Sequence, residues 1–167
     1  MTGEHLLVSG DNGSGKSSLL RVLAGELAPA VGTVHVRARR LAILGQDTTF
    51  TDEAVTAGLT YAAHVATLQP TPPTLRSLGL PHPRDIGRPV GALSTGQRRR
   101  LGLAMVLAHS PDLLLLDEPT NHLSPTLVTE LTEALTTAAG TVVVASHDRW
   151  LRRCWPGPEV RLSPYAP

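Results

Sequence analysis

The sequence predicts an α/β fold in which a mostly parallel sheet is flanked by helices and carries a small helical subdomain. Three observations carry the prediction. Short apolar runs, HLLVS (5–9), LAIL (41–44), LLLL (113–116) and TVVVA (141–145), are separated by helical patterns, as in a parallel sheet covered by helices. The first run leads directly into GDNGSGKS (10–17), which fits G-x-x-x-x-G-K-[ST], the phosphate-cradling loop between a strand and a helix. The third ends in two carboxylates, Asp117 and Glu118, at the strand edge that faces a ligand in such sheets.

The elements follow in order. After the loop, residues 17–27 place Leu19, Leu20, Val22, Leu23 and Leu27 at helical spacing, and Gly25 and Pro29 break the pattern. TVHV (33–36) and LAIL read as two strands, the second running into Gly45, Gln46 and Asp47. Residues 52–69 read as a helix whose apolar face is Ala54, Val55, Leu59, Ala62, Ala63, Val65, Ala66 and Leu68. The stretch 69–89 is punctuated by Pro and Gly, with one short helix around 74–78. Residues of about 47–110 are thereby expected to form the peripheral helical subdomain. Ser94 and Thr95 cap a helix with Gly96 and Gln97 in its first turn; Leu101, Leu103, Ala104, Val106 and Leu107 fill its buried side, and Pro111 stops it. A last long helix covers about 125–138 before TVVVA, which closes on Ser146, His147 and Asp148.

Composition bounds the rest. A length of 167 residues fits one domain with a real core, and 41% hydrophobic against 17% charged residues excludes disorder. The net charge of +1 gives no global attraction to nucleic acid, and no DNA binding is expected. Cys154 is alone, no apolar run is long enough to span a bilayer, and the N-terminus lacks a signal-peptide pattern, so a soluble cytoplasmic protein is expected.

The loop fixes the chemistry first. Gly10, Asp11, Asn12, Gly13, Ser14, Gly15, Lys16, Ser17 and Ser18 are the candidate nucleotide-binding residues. Side chains at Gly10, Gly13 and Gly15 would block the N–H groups that wrap phosphates. Lys16 brings charge to the β and γ phosphates, Ser17 a hydroxyl for Mg²⁺, and the helix start a favourable dipole. Hydrolysis needs an acid near the metal and an acceptor for the attacking water. Asp117 and Glu118 can divide these roles, because adjacent strand residues diverge in direction. With this loop the expected fold is a P-loop NTPase.

With these motifs in place the chain resembles the nucleotide-binding domain of ATP-binding cassette (ABC) proteins over nearly its whole length. The resemblance rests on GDNGSGKS, Gln46, LSTGQ (93–97), LLLLDEP (113–119) and His147 in SHDR, in family order. It implies ATP and Mg²⁺ as cofactors, Glu118 polarising the water, His147 bonding the γ phosphate, and Gln46 sensing metal and water. Ser94, Thr95, Gly96 and Gln97 would close the site of another cassette, so the implied partner is a second cassette, in a homodimer or from another chain. EPTNHL (118–123) and SHDRWL (146–151) resemble the ABC-F branch, whose members act on ribosomes, and GALSTGQRRRL and the WLRRCWPGPEVRL tail resemble second cassettes of actinobacterial ABC-F resistance proteins. The alternatives are the energy subunit of a transporter, docked on a membrane permease, and a cassette that binds nucleotide without hydrolysing it.

Three departures shape the expectation. Only nine residues precede Gly10, where the family has further strands and an adenine-stacking aromatic. The β region is read as truncated, with nucleotide affinity weakened by roughly 5- to 150-fold. The second cassette and the ABC-F linker are not in this sequence. Ser124 stands where the family carries Asp, which bears on coupling across the dimer. His5, His35, His64, His82 and His109 lack ligand spacing and read as surface or core residues, and His122 as part of a structural turn. The arginine clusters at 37–40, 98–100 and 149–153 read as a solvated face or a dimer contact, with an RNA-facing patch as the alternative. Trp150 and Trp155 are expected to anchor the last helix.

Overall fold

The computed structural model describes residues 4–45, 48–68, 71–121, 123, 125–136 and 140–163. In chain order its elements are β1 (His5–Ser9), α1 (Lys16–Leu23), β2 (Leu41–Leu44), α2 (Ala57–Val65), α3 (Thr95–Ala108), β3 (Leu113–Asp117), α4 (Pro125–Thr136), β4 (Thr141–Ala145), α5 (Arg149–Cys154) and β5 (Glu159–Arg161). Short 3₁₀ turns lie at Pro83–Asp85 and Val90–Ala92. The backbone forms two compact units, Met1–Gln46 with Pro111–Pro167, and Asp47–Ser110.

The first unit is a five-stranded sheet ordered β2-β3-β4-β1-β5. Every neighbouring pair is parallel. β3 lies inside the sheet between β2 and β4 and is buried at all five residues, as a continuous apolar strand requires. Because side chains alternate across a strand, Leu113 and Leu115 join Val8, Leu20, Val143 and Ala145 in one core cluster. Leu114 and Leu116, on the opposite face, are equally buried, as are Leu131, Leu135 and Leu151 of α4 and α5. Each such side chain stabilises the fold by roughly 1.5–3 kcal/mol.

Three sequence expectations are revised in this unit. α1 ends at Leu23 because Gly25 takes φ 76°; Glu26 N–H then bonds Arg21 O and Gly25 N–H bonds Val22 O, the pair of bonds that closes a helix on a left-handed residue. Leu27 falls outside it and is exposed. TVHV forms no strand: residues 33–36 are irregular and exposed, with apolar alternation but no ladder partner among the described residues. β5, in contrast, was not anticipated, since its three residues are all exposed and carry no apolar run. Only its pairing with β1 makes it a strand. Of the two tryptophans, Trp155 is buried and Trp150 half exposed.

The second unit packs α2 and α3 around Ala57, Tyr61, Leu75, Val90, Leu93, Leu101, Ala104 and Ala108. α2 starts only at Ala57, because the backbone of residues 53–56 pairs with 89–91 instead: Gly91 N–H bonds Glu53 O at 2.8 Å and Val90 N–H bonds Val55 O at 2.9 Å. Its inward face is Ala57 and Tyr61, while Leu59 is 63% exposed, so the broad apolar face read from sequence is displaced around the helix. The expected helix at 74–78 is a single turn closed by Leu78 N–H to Thr74 O. In α3, Arg99, Gly102 and Ala108 are buried, and Val106 and Leu107 only partly so.

The arginine run is also revised. Arg98 forks onto Glu53 (2.6 and 3.4 Å) and reaches Gly91 O, Arg99 is buried with Nη1 3.4 Å from Thr48 Oγ1, and Arg100 reaches Leu80 O. Successive residues turn by about 100° on a helix, so each guanidinium staples a different segment of this unit. The run is neither a solvated face nor a free basic patch. His64 and His109, read from sequence as surface or core residues, meet here with their Nε2 atoms 2.8 Å apart. No group of three metal-capable side chains occurs among the described residues.

Candidate functional site

The loop between β1 and α1 takes its shape from its glycines. Gly10, Gly13 and Gly15 have φ of 151°, 80° and 91°, a region that side-chain-bearing residues rarely adopt. At Gly10 a Cβ would also lie 2.5 Å from Ser14 Oγ and 2.6 Å from Leu162 O, whereas at Gly13 and Gly15 it would meet nothing within 4 Å. Crowding thus excludes a side chain at Gly10, and backbone conformation does so at the other two. Gly15 is the N-cap of α1 and supplies no side-chain cap to the N–H groups that a helix start leaves without intrahelical partners.

Lys16 is buried and turned back into the loop, donating to Gly10 O at 2.9 Å and Asp11 O at 3.1 Å. Its ammonium also lies 3.7 Å from Glu118 Oε1. Glu118 follows β3 with φ 46°, a strained geometry for a non-glycine residue costing of order 1–3 kcal/mol. Its N–H bonds Ala145 O at 2.8 Å. Its buried carboxylate accepts from Ser146 Oγ at 3.0 Å and the His147 N–H at 3.4 Å, and Oε1 lies 2.7 Å from His147 Nδ1. When Nδ1 carries the proton, the ring's Nε2 is turned to other partners.

Asn12, Gly13, Gly15, Lys16, Ser17, Ser18, Glu118, Asn121 and His147 line one cleft of about 730 Å³. The structure therefore brings together most of the loop with Glu118 and His147. Asp11 contributes its carbonyl to Lys16. The Ser14 hydroxyl is buried without a hydrogen-bond partner among the described residues, and Asp117 is buried at the end of β3. Asn121 and Ser146 were missed in the sequence; both adjoin motif residues, Asn121 within EPTN and Ser146 immediately before His147.

Ser94, Thr95, Gly96 and Gln97 open α3 in the second unit. Gln97 N–H donates to Ser94 Oγ at 3.3 Å while Ser94 N–H donates to Gln97 Oε1 at 2.7 Å, a reciprocal capping box. Ser94 and Thr95 are exposed. Ser94 Oγ spends an acceptor lone pair on the cap and retains its proton for donation. Gln46, His122 and Ser124 lie outside the described residues.

The donor set suits Mg²⁺. Ser17 offers a hydroxyl in the cleft and Asp117 a buried carboxylate at the end of β3, both hard oxygen ligands, and this ion is commonly held by one or two carboxylates together with nucleotide phosphates.

Residues 1–121 match the family model described as ABC transporter. The chain is 46% identical over 160 residues to the tylosin resistance ATP-binding protein TlrC of Streptomyces fradiae, covering 95% of this chain and 29% of that protein. It is 37% identical over 150 residues to the energy-dependent translational throttle protein EttA of Mycobacterium tuberculosis, covering 86% of this chain and 27% of that one. The chain thus spans less than a third of the length of these relatives. It also shares its fold with the dimeric, post-hydrolysis ATP-binding cassette MJ0796 bound to ADP and Pi, at a TM-score of 0.78 and 22% identity, covering 97% of this chain and 82% of the other. No helix among the described residues is long and apolar enough to cross a membrane.

Proposed function

This chain belongs to the ABC transporter family, and we propose that its cleft binds Mg·ATP and that, paired with a second cassette, it hydrolyses the γ phosphate. The observation that carries the reading is the single cleft holding an uncapped helix start, a buried lysine, and a carboxylate paired to an imidazole. Phosphate oxygens take the N–H groups at the start of α1, and Lys16 exchanges its loop carbonyls for the β and γ phosphates. Ser17 and Asp117 would hold Mg²⁺, which would supply charge neutralisation on the phosphates. Glu118 accepts a proton as water attacks the γ phosphorus and the bond to the bridging oxygen breaks, giving ADP and phosphate. The imidazole of His147, steadied through Nδ1 by Glu118, bonds the γ phosphate, with Gln46 at the metal and water.

Ser94, Thr95, Gly96 and Gln97 of each cassette complete the other's site, so ATP joins two cassettes and hydrolysis releases them. The dimeric state named for MJ0796 supports this. Among the relatives, one is named for tylosin resistance, one as a translational throttle and one as ABC transporter F family member 4. They support a cytoplasmic ABC-F role at the ribosome, linked to antibiotic resistance, over service to a membrane permease.

Glu118→Gln tests the assignment. Nucleotide affinity is retained, turnover falls by about 10²–10⁴-fold, and light scattering detects an accumulated ATP-bound dimer. Unchanged turnover in this variant sinks the assignment of Glu118. Co-sedimentation of the wild type with ribosomes separates the ABC-F role from transport.

A further inference from the structure

Behind the phosphate loop lies a polar strut that none of the motif residues explains. Ser9, the last residue of β1, is buried and immediately precedes Gly10. Its hydroxyl donates to Glu159 Oε1 at the start of β5. The same oxygen accepts from Arg152 Nε at 2.7 Å, and Arg152 lies in α5, the helix that begins two residues after His147. Leu162 N–H bonds Ser9 O at 2.7 Å, and the Leu162 carbonyl occupies the space that a Cβ on Gly10 would need.

The far end of α5 closes the circuit. Asp148 caps the helix, accepting from Trp150 N–H at 2.7 Å and Leu151 N–H at 3.3 Å. Its own N–H donates to Ser146 Oγ at 3.1 Å, the hydroxyl that donates to Glu118. Glu118 faces Lys16, which bonds Gly10 O. From Gly10 the path runs through Lys16, Glu118, Ser146, Asp148, α5, Arg152, Glu159 and Ser9, and so back to Gly10.

We propose that Glu159 is a positioning residue of the nucleotide site, fixing α5, and with it His147, against the first residue of the phosphate loop through Arg152 and Ser9. The inference rests on the ATP-binding reading above. Glu159 touches no nucleotide; it sets the spacing between the group that meets the γ phosphate and the loop that holds the others. The Ser9 hydroxyl first, and then Arg152 and Arg161, hold its carboxyl below the usual range, so the carboxylate form that accepts both bonds persists at neutral pH. The ion pair is about one-third exposed, at 35% and 32%, and contributes modestly. The buried Ser9 hydroxyl has more to lose, because removing Glu159 takes away its acceptor.

The two ends of the strut predict different signatures in titrations of the full chain with MgATP and MgADP. Arg152→Ala frees α5 and weakens MgATP about fivefold with MgADP unchanged, because only ATP carries the γ phosphate. Glu159→Ala weakens both nucleotides, by about fivefold or more. Glu159→Gln keeps an acceptor for Ser9 and restores MgADP affinity. The melting temperature without nucleotide controls for a general structural effect, which would weaken ATP and ADP alike in every variant. Wild-type protein that binds no MgATP overturns both the function and this inference. Wild-type binding that Glu159→Ala leaves unchanged, or an Arg152→Ala variant that loses MgATP and MgADP equally, overturns the inference alone.

Discussion

Two helices of this molecule begin next to glycine and serine, and they treat their first turn in opposite ways. α1 starts from Gly15, a left-handed residue that offers no side chain to its free N–H groups. α3 starts from Ser94, which with Gln97 satisfies two backbone donors within the helix itself. α3 is also engaged at its other end, where its C-cap His109 meets His64 at 2.8 Å. The difference separates a helix start with no side-chain cap from one that satisfies two of its own backbone donors. An uncapped start costs stability until a ligand arrives, and that deficit returns as binding energy when phosphate supplies the missing acceptors. A capped start is more stable alone, and it still has the Ser94 proton and the N–H groups of Thr95 and Gly96 to offer a partner.

The largest effect expected from this contrast is at α1. Lys16→Ala removes a buried cation of the cleft and abolishes measurable MgATP binding, a loss of about 100-fold or more, checked by calorimetric titration. Binding within tenfold of wild type would show that the helix start suffices without the lysine. Ser94→Ala comes next, and its effect falls on folding: loss of the cap lowers stability by about 1 kcal/mol, read from chemical denaturation. MgATP affinity of the isolated chain stays the same, while turnover of the paired cassettes falls.

The smallest effect is at the C-terminal end of α3. Burial first, and then the neighbouring His109, lower the pKa of His64 below its ordinary value near 6.5. The folded state therefore binds fewer protons than the unfolded state below that value. The stability of this unit is complete above about pH 6.5 and declines as pH falls toward the lowered value. His64→Gln removes that part of the decline in thermal unfolding between about pH 7.5 and 5; an identical decline in the variant would mean that the pair does not report on folding.

Legibility followed the range of the interactions involved. GDNGSGKS could be read because its glycines, lysine and serine act through a backbone path encoded within the same eight residues. LLLLD could be read because a strand buried on both faces must be apolar throughout. The arginines at 98–100 misled because a run of like charges says nothing of partners such as Glu53, Thr48 and Leu80, which are 18 or more residues away in sequence. TVHV misled in the reverse sense: its alternation suits a strand, but a strand also needs a neighbour.

The sequence alone determined which residues carry charge and hydroxyls along the loop after β1, where the glycines release the backbone, and which strands must be interior. These follow from local conformational preference and from the apolar demand of burial. Only the tertiary structure decided that Glu118 is strained and shared by Lys16, Ser146 and His147, that EVR becomes an edge strand, and that Glu159 joins Ser9 to Arg152. Those outcomes depend on which distant segments the parallel sheet places side by side, because a hydrogen bond is set by separation in space and not by separation along the chain.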